Sequence, residues 1–163
     1  MKEVTFLIFL LATIFAIRAI AKTKIKERPP VDPFEKFILA RIIFAEAAGE
    51  PYEGKVAVGC VVRNRVKSKR WPNTYREVIL QPEQFSGVGS ELWNKFINEH
   101  RLNFEEKRAK KECLEIAEKI ISGEQPDITH GANHYYNPKL ASPSWAKKMK
   151  ITRIIGNHIF LKE

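Results

Sequence analysis

The chain has 163 residues, 44% of them apolar and 29% charged, a composition that fits one folded domain and excludes a disordered chain. Lys and Arg outnumber Asp and Glu by 28 to 19, and the net charge of +9 favours a polyanionic partner: nucleic acid, an anionic membrane surface or the bacterial wall. Two cysteines are too few for a disulfide framework, and no Cys/His spacing resembles a metal site.

Residues 4–17 carry no charge. A run of that length suits the core of a signal peptide better than a full membrane span, and Ala19-Ile20-Ala21 supplies a small-x-small cleavage pattern. If retained, the segment serves as an anchor with Arg18 snorkelling to the interface. Residues 1–28 therefore read as a signal peptide or membrane anchor with a basic flank. Lys22, Lys24, Lys26 and Arg28 follow the apolar run, whereas only Lys2 and the terminal amine precede it. That asymmetry works against export of the downstream part. Arg28-Pro29-Pro30-Val31 is a short, stiff stretch, and residues 29–35 read as a linker and helix cap.

Asp32-Pro33-Phe34-Glu35 combines an N-cap, a first-turn proline and a glutamate three residues after the cap. It predicts a helix through Phe37, Ile38, Leu39, Ile42 and Ile43 to Ala47-Ala48, stopped by Gly49 and Pro51. A second helix is predicted from about Pro51 to Lys69. Its middle, Val56 to Val62, is apolar on every side and suits the central, buried position. Thr74-Tyr75-Arg76-Glu77 predicts a capped short helix ending before Pro82, followed by a polar loop over Gln81–Gly89. Asn103-Phe104-Glu105-Glu106 opens a long amphipathic helix that Gly123 ends. Cys60 lies in the apolar middle of the second helix, and Cys113 shares a stripe with Ala109, Ile116 and Ala117, so both thiols are expected to be buried and unpaired. His134-Tyr135-Tyr136 reads as a short strand. Ile151–Ile155 and His158–Leu161 flank Gly156-Asn157, a two-residue hairpin signal. The fold class is α+β: mostly helices, with a small antiparallel sheet formed late in the chain.

Glu46 is the most informative residue. Its spacing from Leu39, Ile42 and Ile43 places it on the buried face of the first helix, in the last turn. Desolvation and the negative helix terminus both favour the protonated carboxyl that a general acid needs. The competing reading is a structural ion pair with Arg41, Arg63 or Arg65. Glu50 and Glu53 are the other nearby carboxylates, and two carboxyls can share glycosidic chemistry; both also suit plain structural roles around the start of the next helix. Gln84, Phe85 and Ser86 in the polar loop, Tyr135, Tyr136 and Asn137 around the strand, and Trp145 mix amides, hydroxyls and aromatic rings, the groups that hold sugars. Most loops of such composition are only solvated, and His158 taken alone reads as a packed strand histidine. No Gly-rich phosphate loop, Ser/His/Asp order or metal signature is present, so no cofactor or metal is expected. The basic residues do not interleave with aromatics as a nucleic-acid platform would.

The stretch from Ala40 through Glu46-Ala47-Ala48-Gly49-Glu50 to Val66 resembles the spore cortex-lytic and cell-wall hydrolase family (SleB/CwlJ type). So do Pro72-Asn73-Thr74, Gln84-Phe85-Ser86, Tyr135-Tyr136-Asn137-Pro138, Trp145 and Ile155-Gly156-Asn157-His158-Ile159-Phe160, in the family's order. The resemblance implies a lysozyme-like catalytic domain over residues 36–163, acting on peptidoglycan glycan strands between MurNAc and GlcNAc. It further implies Glu46 as the catalytic acid of a lytic transglycosylase, and a substrate groove formed by Glu50, Gln84, Phe85, Ser86, Tyr135, Tyr136, Asn137, Trp145 and His158. Such a substrate lies outside the cytoplasm, which favours an exported, membrane-tethered monomer despite the charge asymmetry. A phage lysis enzyme (an endolysin) and a wall-remodelling enzyme fit equally. A muramidase with a second carboxylate, or a non-enzymatic basic module binding wall or membrane, are the alternatives.

Overall fold

The computed structural model describes residues 30–163; the apolar run, its basic flank and the first linker residue lie outside them. Helix α1 spans Pro33–Ala47, and the Asp32 carboxylate caps it by accepting from the Phe34 and Glu35 amides at 2.8 and 2.9 Å. Ile38, Leu39, Ile42, Ile43 and Phe44 are all buried. Helix α2, Tyr52–Val66, is buried continuously from Gly54 to Arg63, so the uniformly apolar sequence does mark the central helix. It stops three residues short of Lys69, where the Ser68 amide turns back onto the Arg65 carbonyl.

Helix α3 covers Tyr75–Leu80 and helix α4 covers Glu91–Phe96; a single 3-10 turn follows at Glu99–Arg101. Six residues are too few to show a helical period, which is why α4 escapes the sequence pattern. Its anchors are Trp93 and Phe96, the latter packing on Phe37 and Phe44 at 5.5 Å each. Helix α5, Phe104–Ile121, opens with the expected reciprocal Asn103/Glu106 capping box. It lays Ala109, Cys113, Ile116, Ala117 and Ile120 against α1 and α2. Cys60 and Cys113 are both free and buried, and burial pushes the Cys113 thiol up to about 12.

The sheet has three antiparallel strands in the order β1 (His134–Tyr136), β3 (His158–Lys162), β2 (Lys150–Ile155), with a 3-10 helix at Ser144–Lys148 leading into β2. Gly156 takes φ +58 in the β2–β3 turn, a conformation that favours glycine. Phe160 and Ala132 pack on Ala57 and Val61 of α2, joining the sheet to the central helix.

Polar contacts set the position of β1. Asn64 donates to the Ala132 carbonyl at 2.9 Å, and Arg65 Nε donates to the Asn133 carbonyl at 2.8 Å. The Asp127 carboxylate accepts from the Thr129 and Gly131 amides and from Asn64, which shapes the turn ahead of the strand. The last polar turn of α2 thus holds the strand that carries the tyrosines.

Candidate active site

Glu46 stands near the C-terminal end of α1, half-buried rather than sealed in the core as its helical phase suggested. Its carboxylate is held from two other parts of the chain. Oε1 accepts the Gly87 amide at 2.5 Å and faces the Ser86 hydroxyl at 3.4 Å, while Oε2 accepts from the Tyr135 hydroxyl at 3.0 Å. Burial, and after it the charge of Glu46 and this hydrogen bond, push the Tyr135 phenol well above its ordinary range, so it stays protonated and acts as a donor. Gly87 is a close approach: a Cβ there would lie 2.8 Å from Glu46 Oε1 and 2.9 Å from the Ala45 Cβ.

The structural ion pair that the sequence also allowed is not formed. Arg41 donates to the Trp93 carbonyl and stacks on its ring, and Arg63 donates to the Gln125 carbonyl. Arg65 is engaged by Asn133 and Gln84 and lies over the Phe85 ring at 4.8 Å. Burial lowers the Arg65 guanidinium from its ordinary value, and the nearby Tyr135 and Glu46 act in the opposite direction.

A groove of about 800 Å³ opens over these groups. Glu46 and Arg65 line it together with the 83–86 loop, residues 134–137, His158, and a later segment carrying Leu140, Trp145 and Met149. Gln84, Phe85, Ser86, Tyr135, Tyr136, Asn137, Trp145 and His158 therefore meet around Glu46, although up to 112 positions separate them from it in the chain. The two adjacent tyrosines divide their tasks. Tyr135 pairs with Phe160 across the sheet and points to Glu46, whereas Tyr136 packs edge-on against Trp145 at 6.0 Å. His134 lies 5.4 Å from Trp145 and 6.0 Å from Trp71, giving that side of the groove a run of rings suited to sugar faces. His158 sits edge-on to Tyr135 at 5.3 Å, buried, with no hydrogen-bond partner for its Nδ1.

Glu50 is the exception. It does not line the groove; its carboxylate accepts the Asn157 amide and side-chain Nδ2, both at 2.9 Å, and thereby clamps the β2–β3 turn. The physical reason is the end of α1. Past Ala47 the chain turns, and Glu50 faces the hairpin instead of following Glu46. Burial by itself would raise this carboxyl, but the two Asn157 bonds and the nearby His158 and Lys139 outweigh it and hold Glu50 below its ordinary value. Glu50 thus stands apart from the other residues expected to line the groove and holds the β2–β3 turn.

Sequence reading passed over Arg65, Leu140 and Met149 as groove residues. Arg65 had a signal, a charge just past the apolar Val56–Val62 run of a central helix, where it needs a buried partner. Leu140 and Met149 had none, being single apolar residues in an irregular stretch. Among the described residues no group of three or more His, Cys, Asp or Glu side chains is placed to hold a metal ion.

Comparison with known proteins gives a consistent answer. Residues 49–161 match the Cell Wall Hydrolase family, and Glu46 lies just ahead of that stretch. A spore cortex-lytic enzyme of Bacillus cereus is 36% identical over 125 residues, which is 77% of this chain and 43% of that protein. The spore cortex-lytic enzyme of Bacillus subtilis is 32% identical over 123 residues, 76% of this chain and 36% of that protein. The chain thus spans less than half the length of these curated relatives. The solved catalytic domain of the germination-specific lytic transglycosylase SleB from Bacillus anthracis gives a TM-score of 0.61 at 32% identity, covering 81% of this chain and 97% of that one. The catalytic domain of Bacillus cereus SleB gives 0.59 at 31%, covering 86% and 99%. With most of the chain and nearly all of both catalytic domains in register, this protein is a member of the cell wall hydrolase family.

Proposed function

We propose that the chain cleaves peptidoglycan glycan strands between MurNAc and GlcNAc as a lytic transglycosylase, with Glu46 as acid and then base. The observation that carries this reading is the hold on the Glu46 carboxyl by donors from two other segments, while Glu50, the nearest acid in the chain, is drawn away onto Asn157. Protonated Glu46 gives its proton to the glycosidic oxygen as the bond to the muramyl C1 breaks. The resulting carboxylate then takes the proton of the muramyl C6 hydroxyl, whose oxygen closes on C1 to form the 1,6-anhydro ring. One carboxyl suffices because the nucleophile belongs to the substrate and is already in place. Gly87 and Tyr135 fix the carboxyl against rotation through both steps. The Tyr136–Trp145–His134 cluster and the amides of Gln84 and Asn137 supply ring faces and hydrogen bonds for successive sugars.

Glu83 supports a second reading. It is an exposed acid in the same groove, available in principle as the second carboxylate of a hydrolase. Glu163 also lines the groove but is engaged by Arg70 at 2.8 Å.

The wider assignment follows from the same reading. Residues 36–163 form the catalytic unit, working as a monomer outside the cytoplasm in wall lysis, as in an endolysin, or in wall remodelling. Residues 1–28 carry it there as a signal or anchor. Among the described residues no helix is long and apolar enough to cross a membrane.

Digestion of purified peptidoglycan followed by mass spectrometry tests the chemistry. Products ending in 1,6-anhydromuramic acid, one water lighter than hydrolytic products and resistant to borohydride, are expected. Glu46→Gln is expected to lower the rate by about 10²–10⁴-fold, and Glu83→Gln far less. Reducible muramic acid ends that disappear in Glu83→Gln would establish the hydrolase instead.

A further inference from the structure

The segment from Lys139 to Arg153 has a charge pattern that cleavage of a bare glycan does not use. Between Asn137 and Glu163 the chain carries six cations and no acid. These cations alternate with groups that line the groove: Lys139 precedes Leu140, Lys147 follows Trp145 by two residues, and Lys148 and Lys150 flank Met149. Lys147, Lys148, Lys150 and Arg153 are all exposed and make no ion pair among the described residues. The facing loop differs, with Glu83, Gln84 and Ser86 contributing one acid and no base.

Apolar surface accompanies the charge. Leu140 is 84% exposed, Ile154 69% and Ile151 54%. Ile151 and Ile154 pair with Leu161 and Ile159, and His134 and Tyr136 pair with the same two residues from the opposite edge, so all share one side of the sheet. Trp145 packs on both His134 and Tyr136. The apolar strip therefore continues the aromatic side of the groove across the sheet.

A glycan strand stripped of its peptides keeps a single lactyl carboxylate on alternate sugars and no aliphatic side chains beside it. In peptidoglycan the negative charge sits on short peptides hung from the lactyl group of alternate sugars, as free carboxylates beside alanine methyls. Unpaired cations on the segment that brings Leu140, Trp145 and Met149 to the groove match that chemistry and exceed what the single lactyl carboxylate of a stripped strand would use. We propose that residues 139–153 form a binding surface for the acidic peptides of the glycan strand, so that the enzyme acts on peptide-bearing strands in preference to bare ones. This rests on the reading of the groove as a peptidoglycan site. The polarity of the two sides also sets direction, since the peptides must project towards the basic segment and away from Glu83.

The test compares turnover by the full chain on two substrates: wall peptidoglycan freed of attached anionic polymers, and the same glycan stripped of its peptides by an amidase. The wild type is expected to cleave the peptide-bearing form about tenfold faster at low salt, the size expected for a few exposed charge contacts. The ratio should fall towards one as salt is raised, and also in Lys147→Gln/Lys148→Gln/Lys150→Gln. Equal rates on both substrates, or a ratio unchanged in the triple variant, would overturn the proposal while leaving the cleavage reading intact. Cleavage of neither substrate by the wild type would overturn the cleavage reading, and this proposal with it.

Discussion

Gly87 has no side chain to contribute, yet its amide is the shortest contact made by Glu46. The missing Cβ is what allows it, because one would sit 2.8 Å from the carboxylate oxygen. In Gly87→Ala the loop or the carboxyl must shift by a few tenths of an ångström, which under the proposed mechanism misplaces the proton relative to the glycosidic oxygen. Small displacements of reacting groups are costly, so kcat is expected to fall about 10–100-fold. KM should change little, because the sugar-facing side chains are untouched. Steady-state kinetics alongside a thermal melt checks this; an unchanged kcat would mean that the carboxyl tolerates the shift. Little of this was legible in the sequence. Helical phase and family resemblance pick out Glu46, but a backbone donor 41 positions away leaves no mark on residue type.

At the scale of elements, the β2–β3 hairpin is fixed at its tip by a single carboxylate. The Glu50 side chain is only 9% exposed, and both of its hydrogen-bond donors come from Asn157. Its folded-state pKa lies below the ordinary 4.5. The stability it contributes is therefore present in full above that value and is lost as pH falls through the lower, folded one. Glu50→Gln offers one acceptor to two donors and sets an amide NH2 against the other, so a loss of about 1–3 kcal/mol is expected. Melts recorded from neutral to acidic pH should show the wild type losing more stability on the acid side than the variant. Parallel curves would remove Glu50 from that role. Turnover at neutral pH should suffer far less than in Glu46→Gln. The hairpin itself was readable from Gly156-Asn157 between two β-branched runs, as were α1, α2 and α5 from their caps and periods. The Glu50 clamp was not, because proximity in sequence to Glu46 suggested shared chemistry whereas the turn after Ala47 separates them. The short α4 was hidden for a different reason: its two buried aromatics gain their place from α1 rather than from a period of their own.

For the molecule as a whole, the site exists only when three distant stretches are assembled: the end of α1, the 83–87 loop and β1. Those stretches rest on α2, and α2 in turn rests on α1 and α5. Cys60 and Cys113 lie on the two helices at the centre of that arrangement, free and buried, with Cys113 held protonated far above neutral pH. A thiol-reactive dye should therefore label neither residue in the native protein at neutral pH. In a denaturant titration, labelling and loss of activity are expected to share one midpoint, as a single cooperative core requires. Labelling that runs ahead of inactivation would reveal that α5 opens separately from the rest. The same two sulfur atoms form no bond in the folded protein, so refolding requires no oxidant, and recovery of activity after denaturation should be fastest in reducing buffer, where the exposed thiols cannot be trapped in a non-native disulfide.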